Sequence, residues 1–363
     1  MLKYRLLISA VLVPVLGLLF WLDAKTGPTA AAFGPLCIVL SGLAAGELVG
    51  MVRNRVPTLT RKDVMIASMS LTLVGWGVHA GPAVAWTGAE AVEQASGLDV
   101  GSRLRNVLVR NVDGAGPLAN LLEYSGVRRS MRLHGVGDAP ATTIAGGLAA
   151  AVALAWVLAW LLEAAAKFER GTLEAGQVVA HVSAKLLILA YAGGLVAATM
   201  QLRWYGQSAW AGYRLLAGLL VCVKSADVGA YFIGRAFGKT HPLKRLSPGK
   251  TEAGFIGAVV VGALAFAAWM SLTRVGDTAV FDLSDRWWAV AWLILLGGLL
   301  AVGGVIGDLV ESLLKRECGV KDSSSLLPGF GGVLDVLDSV LFVGAAVVAL
   351  STAAATLALI AVS

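Results

Sequence analysis

Long apolar stretches separated by short polar connections dominate this chain. A membrane-spanning helix needs about 20 mostly apolar residues, and nine stretches of the sequence meet that requirement. They cover approximately residues 4–22, 29–52, 64–86, 143–166, 177–200, 209–237, 253–273, 287–315 and 333–361. The pattern therefore predicts an all-α polytopic membrane protein with about nine transmembrane helices.

Lysine and arginine residues gather at every second connection between these stretches, beginning with Lys3 and Arg5 at the start of the chain. Loops rich in Lys and Arg remain on the cytoplasmic side of a membrane. We therefore predict a cytoplasmic N-terminus, a location in the cytoplasmic (inner) membrane and basic loops that face the cytoplasm.

The same pattern divides the chain into four parts. Residues 1–86 form an N-terminal scaffold of three spans, and residues 143–206 add two further scaffold spans. Residues 87–142 are the one long segment without a span, which the topology predicts to be an extracytoplasmic insertion. Residues 207–363 contain the last four spans and both polar clusters with recognisable chemistry, so this part is predicted to be the catalytic region.

Composition agrees with the membrane class and excludes several others. Hydrophobic residues make up 57% of the 363 residues and charged residues only 14%, and the mean hydropathy is +0.77. The net charge of +6 fits cytoplasmic loops near anionic headgroups better than nucleic-acid binding. The three cysteines and four histidines are dispersed, so neither zinc chemistry nor a hydrolytic triad is indicated.

The first polar cluster extends from Lys224 to Gly257 and joins two predicted spans by a basic loop. Asp227 lies inside a span and is followed by three glycines that permit close helix contact. The turn that opens the next helix offers backbone N–H groups, hydroxyls and an ammonium group, which together can hold phosphate oxygens. Its residues are Ser247, Pro248, Gly249, Lys250 and Thr251. Alternatively, the basic residues of this loop only determine the orientation of the helices in the membrane.

The second cluster extends from Gly307 to Ser339 and is too polar for its place between two apolar helices. On a helix, Asp308, Ser312 and Lys315 share one face, and Glu311 forms a neighbouring pair with Lys315. Asp335 and Asp338 share a face of the following helix. Several carboxylates beside lysines suit Mg²⁺ with a polyphosphate, whereas a set of salt bridges closing the loop is the bland alternative.

Two further charges lie within the scaffold spans. Lys185 is predicted to snorkel or to form an interhelical ion pair. Glu47, near the predicted cytoplasmic end of the second span, is predicted to pair with a basic loop residue.

Both polar clusters resemble those of the CDP-diacylglycerol synthases, also called phosphatidate cytidylyltransferases. The matching positions of the second cluster are Ser312, Lys315, Arg316, Lys321, Asp322, Pro328, Gly329, Gly331, Gly332, Asp335, Asp338 and Ser339. The first cluster resembles the family around Asp227 and across the Ser247 to Thr251 turn. Phe330 and Val336 stand where the family pattern has His and Arg, and both replacements remove a polar group.

The resemblance implies transfer of the cytidylyl group of CTP to phosphatidate, with Mg²⁺ as cofactor and a second cation possible in such sites. It implies Asp308 and Asp335 as principal Mg²⁺ ligands, assisted by Asp338 and Asp322. The implied triphosphate-binding residues are Lys250, Lys315, Arg316 and Lys321. Asp227 would contact a cation or the nucleotide, and Ser312, Gly331 and Gly332 would contribute to substrate binding. The family also implies a homodimer.

Three alternatives stay open at the level of sequence. The chain could be a related membrane phosphotransferase, such as a polyprenol kinase, or a cytidylyltransferase for another lipid phosphate. It could be a transporter whose helices break near Gly249 and Gly329. It could also be a non-catalytic membrane scaffold.

Overall fold

The computed structural model describes residues 2–25, 29–96, 141–205, 209–273 and 287–362. Within these residues the chain is helical and forms no strand apart from one isolated bridge between Leu327 and Gly331. The helices are α1 (Leu2–Lys25), α2 (Phe33–Val52), α3 (Arg61–Ser96), α4 (Ala141–Glu169), α5 (Ala175–Ile188), α6 (Leu195–Met200), α7 (Ala209–Phe237), α8 (Glu252–Leu272), α9 (Trp287–Glu317) and α10 (Val333–Val362). A π-helical turn, Leu189–Gly194, joins α5 to α6, and a 3-10 turn, Gln201–Trp204, follows α6.

Seven helical segments of the described part are long and apolar enough to cross a membrane. They are Phe33–Val52, Leu148–Glu169, Gly176–Trp204, Trp210–Phe237, Glu252–Leu272, Val290–Glu317 and Val333–Ser351. The predicted all-α polytopic membrane class is therefore confirmed.

Two of the nine predicted spans, 4–22 and 64–86, are helical as α1 and α3 but stay predictions as spans. Helix α3 continues past residue 86 to Ser96. Most of the predicted insertion at 87–142 lies outside the described residues. The cytoplasmic N-terminus also stays a prediction.

A buried ion-pair cluster ties the scaffold helices together. The side chain of Lys185 on α5 is 0% exposed, and its Nζ lies 2.5 Å from Asp63 Oδ2 on α3 and 2.5 Å from Glu163 Oε2 on α4. A buried ammonium group is tolerated when carboxylates compensate its lost hydration. The interhelical pair predicted as one alternative for Lys185 is thus observed.

Asp23, which follows the apolar part of α1, fixes the beginning of α2. Its buried Oδ1 accepts hydrogen bonds from the amides of Ala32 (2.7 Å) and Phe33 (2.9 Å), which begin the helix. Its Oδ2 accepts from Arg203 Nε (3.2 Å) and from the hydroxyl of Tyr213. Asp23 therefore joins α1, α2, α7 and the 3-10 turn at one end of α2.

Helices α7 and α8 approach each other along a line of glycines. A Cβ atom on Gly229 would lie 2.5 Å from the carbonyl oxygen of Gly257, and one on Gly257 would lie 2.7 Å from that of Gly229. A Cβ on Gly234 would lie 2.8 Å from Thr251 Oγ1. The close contact predicted for these glycines is confirmed.

Candidate active site

Three acidic side chains meet where α9 and α10 pack together. Asp308 and Glu311 of α9 and Asp338 of α10 each offer a carboxylate oxygen, and these oxygens lie within 4.8 Å of one another. Glu311 is 1% exposed and Asp338 is 5% exposed. We call these three residues the carboxylate cluster.

The close packing of the two helices explains how the cluster forms. A Cβ on Gly307 would lie 2.8 Å from Phe342 Cβ and 3.1 Å from Ser339 Cα, so only glycine permits this helix separation. Asp308 directly follows this contact, and Glu311 lies one turn further along the same face. The serine after Asp338 donates a hydrogen bond from its hydroxyl to Asp338 Oδ1 (3.0 Å).

Lysine side chains surround the cluster without cancelling its charge. Lys250 pairs with Asp308, whereas Lys315 Nζ lies between Glu311 Oε2 (2.7 Å) and Asp335 Oδ1 (2.8 Å).

The Nζ atom of a third lysine, Lys224 of α7, lies 3.4 Å from Asp227 Oδ2. Asp227 is close enough to Asp308 for an electrostatic interaction. When all of these groups are ionised, five carboxylates face three ammonium groups, which leaves two negative charges.

The donor set fits a hard divalent cation. Within the described residues, the buried Oε1 atom of Glu311 has no hydrogen-bond partner. Burying such an atom costs free energy unless a ligand or water compensates it. Carboxylate oxygens are the ligands that Mg²⁺ prefers, so an ion at this position would satisfy Glu311 and offset the excess negative charge.

Asp335 is not part of the carboxylate cluster, because protein donors occupy both of its oxygens. Oδ1 contacts Lys315, and Oδ2 accepts from Ser323 N (2.9 Å), Ser323 Oγ (2.6 Å) and Gly332 N (2.6 Å). These contacts fix the α9–α10 loop against the first turn of α10. Its role as a principal Mg²⁺ ligand stays a prediction, and Glu311 takes the corresponding place in the observed cluster.

Glu47 of α2 holds the same loop from the other side. Its Oε1 accepts from Val333 N (2.9 Å) and Ser324 Oγ (2.8 Å). Its Oε2 accepts from Leu334 N (2.9 Å) and lies 3.1 Å from Ser323 Oγ, whose single proton it shares with Asp335. The side chain is 7% exposed. Serines and amides are its partners instead of the basic loop residue that the sequence predicted. Glu47 thus caps α10 across a sequence separation of 286 residues.

The glycine-rich stretch before α10 forms a tight turn. The amides of Phe330 and Gly331 both donate to the carbonyl oxygen of Leu327, at 3.0 and 2.9 Å. Gly329 and Gly331 have φ angles of +84° and +95°, which favour glycine. Phe330 is half-buried at this turn, and Val336 is half-buried on α10.

Several predicted phosphate-binding residues lie in the first cluster beside these groups. Thr251 is the N-cap residue of α8, and its buried hydroxyl accepts a hydrogen bond from Gly254 N (3.1 Å). The amide of Lys250 donates to the carbonyl oxygen of Ser247 (3.1 Å), which closes the turn through the exposed Pro248. Gly249 faces open space. The turn is therefore accessible, with Lys250 directed towards Asp308.

The remaining predicted residues lie on or beside the α9–α10 loop. Arg316 is exposed and contacts the carbonyl oxygens of Leu246 (3.5 Å) and Val320 (3.4 Å), so it joins the two polar clusters. Ser312 is half-buried, whereas Lys321 and Asp322 are exposed and Asp322 lies outside the carboxylate cluster.

Sequence reasoning assigned no site role to Glu311 or Glu47. The i, i+3 spacing of Asp308 and Glu311 was a usable signal, but the obvious pair of Glu311 with Lys315 masked it. No local signal exists for Glu47, whose partners lie 276 to 287 residues away.

The described residues thus form a helical membrane protein with a buried carboxylate cluster among lysines. The sequence profile of the cytidylyltransferase family matches residues 139–354, more than half of the chain. The chain belongs to this family.

Curated relatives carry a more specific name. The chain is 41% identical over 143 residues to the phosphatidate cytidylyltransferase of Haemophilus influenzae, which covers 39% of this chain and 46% of that protein. It is 39% identical over 123 residues to the Bacillus subtilis protein of the same name, covering 34% and 42%. It is 44% identical over 125 residues to that of Helicobacter pylori, again covering 34% and 42%. The chain thus matches less than half the length of each of these relatives.

Proposed function

We propose that this protein transfers the cytidylyl group of CTP to phosphatidate, producing CDP-diacylglycerol and pyrophosphate for phospholipid synthesis. The observation that carries the proposal is the buried carboxylate cluster, which is paired with Lys250 and Lys315 and lies within the part of the chain that matches the cytidylyltransferase family. The names of the relatives support phosphatidate as the lipid substrate.

The reaction forms a bond between a phosphate oxygen of the lipid and the α-phosphorus of CTP. The bond from that phosphorus to the bridging oxygen breaks, and pyrophosphate leaves with the electron pair. A phosphate monoester has a second pKa of about 6, so the attacking oxygen is largely anionic near neutral pH. The protein therefore needs to supply position and charge compensation more than a strong base.

The basic residues of both clusters are suited to hold the triphosphate. Lys250 lies at the end of the turn before α8, the exposed Arg316 contacts Leu246 beside this turn, and Lys321 is exposed on the α9–α10 loop. The turn at Gly249 leaves room for a phosphate to approach the backbone. Lys315 holds Glu311 and Asp335 in place and compensates part of their charge.

Mg²⁺ bound by Asp308, Glu311 and Asp338 would neutralise phosphate oxygens of the substrates. Asp227, with its exposed carboxylate near Asp308, is placed to contact a second cation or the nucleotide. We further propose that the site faces the cytoplasm from the cytoplasmic membrane and that the protein acts as a homodimer.

The proposal is tested with the purified full-length protein in lipid nanodiscs. CTP labelled at the α-phosphate, phosphatidate and Mg²⁺ should yield labelled CDP-diacylglycerol and an equal amount of pyrophosphate. Excess EDTA should abolish both products, and Mg²⁺ should restore them.

Parallel reactions replace phosphatidate with lysophosphatidate, a polyprenyl phosphate or a polyprenol. Product from one of these lipids and none from phosphatidate would assign a different lipid substrate. The absence of product from every lipid would refute the proposed activity.

A further inference from the structure

Tyr191 is a buried residue whose hydroxyl group has no role in the packing or in the proposed mechanism. It lies in the π-helical turn Leu189–Gly194 and is 5% exposed. Its hydroxyl has no hydrogen-bond partner within the described residues. A phenol group buried in this way usually finds a partner, because leaving it unpaired costs free energy.

The surroundings of Tyr191 direct attention to the carboxylate cluster. Tyr191 packs in the same apolar core as Leu334, the residue before Asp335, and as Val310 and Leu314 of α9. Glu311, Asp338 and Asp308 are close enough to its hydroxyl for an electrostatic interaction. Tyr191 Oη and Glu311 Oε1 are both buried without a hydrogen-bond partner in the described part of the chain, on either side of this shared core.

The backbone around Tyr191 is also unusual. A π-helical turn is less favourable than a regular α-helical turn, and such turns occur frequently at functional sites. Here the turn lies against α3, where a Cβ on Gly193 would be 3.0 Å from Ser68 Cα. The turn gives residues 189–194 a side-chain register that differs from that of the rest of the span.

We propose that Tyr191 is a substrate-positioning residue whose hydroxyl donates a hydrogen bond to a phosphate oxygen of a ligand held at the carboxylate cluster. A phenol hydroxyl can donate one hydrogen bond to a phosphate oxygen. It carries no charge, so it cannot take the place of a cation among the three carboxylates. The phosphate belongs either to CTP or to the lipid. This inference rests on the proposed function for the identity of its ligands.

The test compares full-length protein with its Tyr191→Phe variant, which removes one oxygen atom. Thermal unfolding midpoints are measured in EDTA, in Mg²⁺ alone, in Mg²⁺ with CTP, and in Mg²⁺ with phosphatidate. In EDTA we expect the variant to unfold at the same temperature as the parent or higher, because the removed hydroxyl has no protein partner. The rise in midpoint caused by CTP or by phosphatidate should be smaller in the variant, and the affected ligand identifies the phosphate concerned.

Activity provides a second measurement on the same proteins. Loss of one hydrogen bond to a charged phosphate should lower kcat/KM about 10- to 100-fold. Tyr213→Phe is the matched control, because Tyr213 is equally buried but donates its hydroxyl proton to Asp23. The control should lower the midpoint in EDTA and leave the ligand-induced rises unchanged.

The outcomes separate this inference from the proposed function. Parental kinetics and parental ligand-induced rises in Tyr191→Phe would overturn the inference while the activity stands. A clear drop of its midpoint in EDTA would assign the hydroxyl to a structural partner, such as a buried water, and would also overturn it. An inactive parent whose ligand-induced rise is lost in the variant would support the contact and refute the reaction. A parent that responds to no ligand would overturn both.

Discussion

At the scale of single residues, Glu311 is the clearest link between the described contacts and the proposed chemistry. It is nearly fully buried, one carboxylate oxygen accepts from Lys315, and the other has no partner within the described residues. Such a group is costly in the absence of a ligand and useful when a cation binds. The stability and the activity of the protein should therefore respond to this residue in different ways.

We predict that Glu311→Gln leaves the unfolding midpoint in EDTA unchanged or higher and lowers kcat by about 100-fold or more, equivalent to about 2.7 kcal/mol of transition-state stabilisation. The amide keeps an oxygen for Lys315 and removes one charge from the cluster. Radioactive turnover assays and thermal unfolding check the two effects.

The matched control is Glu317→Gln, which changes an exposed acid at the end of the same helix. It should leave both quantities unchanged. Full activity of Glu311→Gln would remove Glu311 from the cation site.

At the scale of elements, the beginning of α10 depends on a residue of α2. Val333 and Leu334 provide two of the first amides of α10, which have no partner within their own helix. Glu47 satisfies them and also binds Ser323, which in turn binds Asp335. A chain of contacts therefore connects the scaffold to the loop beside the carboxylate cluster.

We predict that Glu47→Ala lowers the free energy of unfolding by about 2–4 kcal/mol, since it leaves buried amides and hydroxyls unpaired. It should also lower kcat per folded molecule, because the loop and Asp335 lose their support. Glu47→Gln, which keeps one acceptor oxygen, should give intermediate values. Denaturation in detergent and turnover corrected for the folded fraction measure the two effects.

Asp23→Asn is the control for this prediction. Asp23 caps the beginning of α2, at the end opposite to Glu47, and its described hydrogen-bond partners are not residues of the site. A similar loss of stability with unchanged kcat per folded molecule is expected. Equal kinetic effects of the Asp23 and Glu47 variants would contradict a specific role for Glu47.

The contrast between what the sequence predicted and what it did not has a physical basis. Hydropathy predicted the seven described segments that are long and apolar enough to span, because each must bury its backbone polar groups within one helix. The glycines that follow Asp227 predicted a close helix contact, and the structure shows that the partner is α8. By comparison, the partners of Glu47 lie 276 to 287 residues away, and no local pattern indicates them. Asp335 has the side chain of a metal ligand and was predicted to be one. Only the structure shows that Ser323, Gly332 and Lys315 donate hydrogen bonds to its carboxylate.

At the scale of the whole molecule, the direction in which the protein crosses the membrane would decide which compartment supplies CTP for the proposed reaction. The three native cysteines are free and buried, so introduced cysteines can report this direction with little background. Lys239 is exposed on the basic connection between α7 and α8. Ser130 belongs to the segment predicted to lie outside.

We predict that Lys239→Cys reacts with a membrane-impermeant maleimide in inverted membrane vesicles and is protected in intact spheroplasts. Ser130→Cys should show the reverse pattern, and the unmodified protein should show little labelling in either preparation. Labelling of Lys239→Cys from outside the cell would contradict the proposed cytoplasmic orientation.

The cap that Glu47 places on α10 bears on how the protein can be divided. A fragment beginning at residue 207 would retain the carboxylate cluster, Lys250, Lys315 and the whole of the α9–α10 loop. It would nevertheless lack Glu47, the carboxylate that caps the beginning of α10. The amides of Val333 and Leu334 would then need other hydrogen-bond acceptors. We therefore expect that such a fragment would not be an autonomous catalytic module. Co-expression of residues 1–206 as a separate chain is the arrangement in which we expect it to regain its native α10.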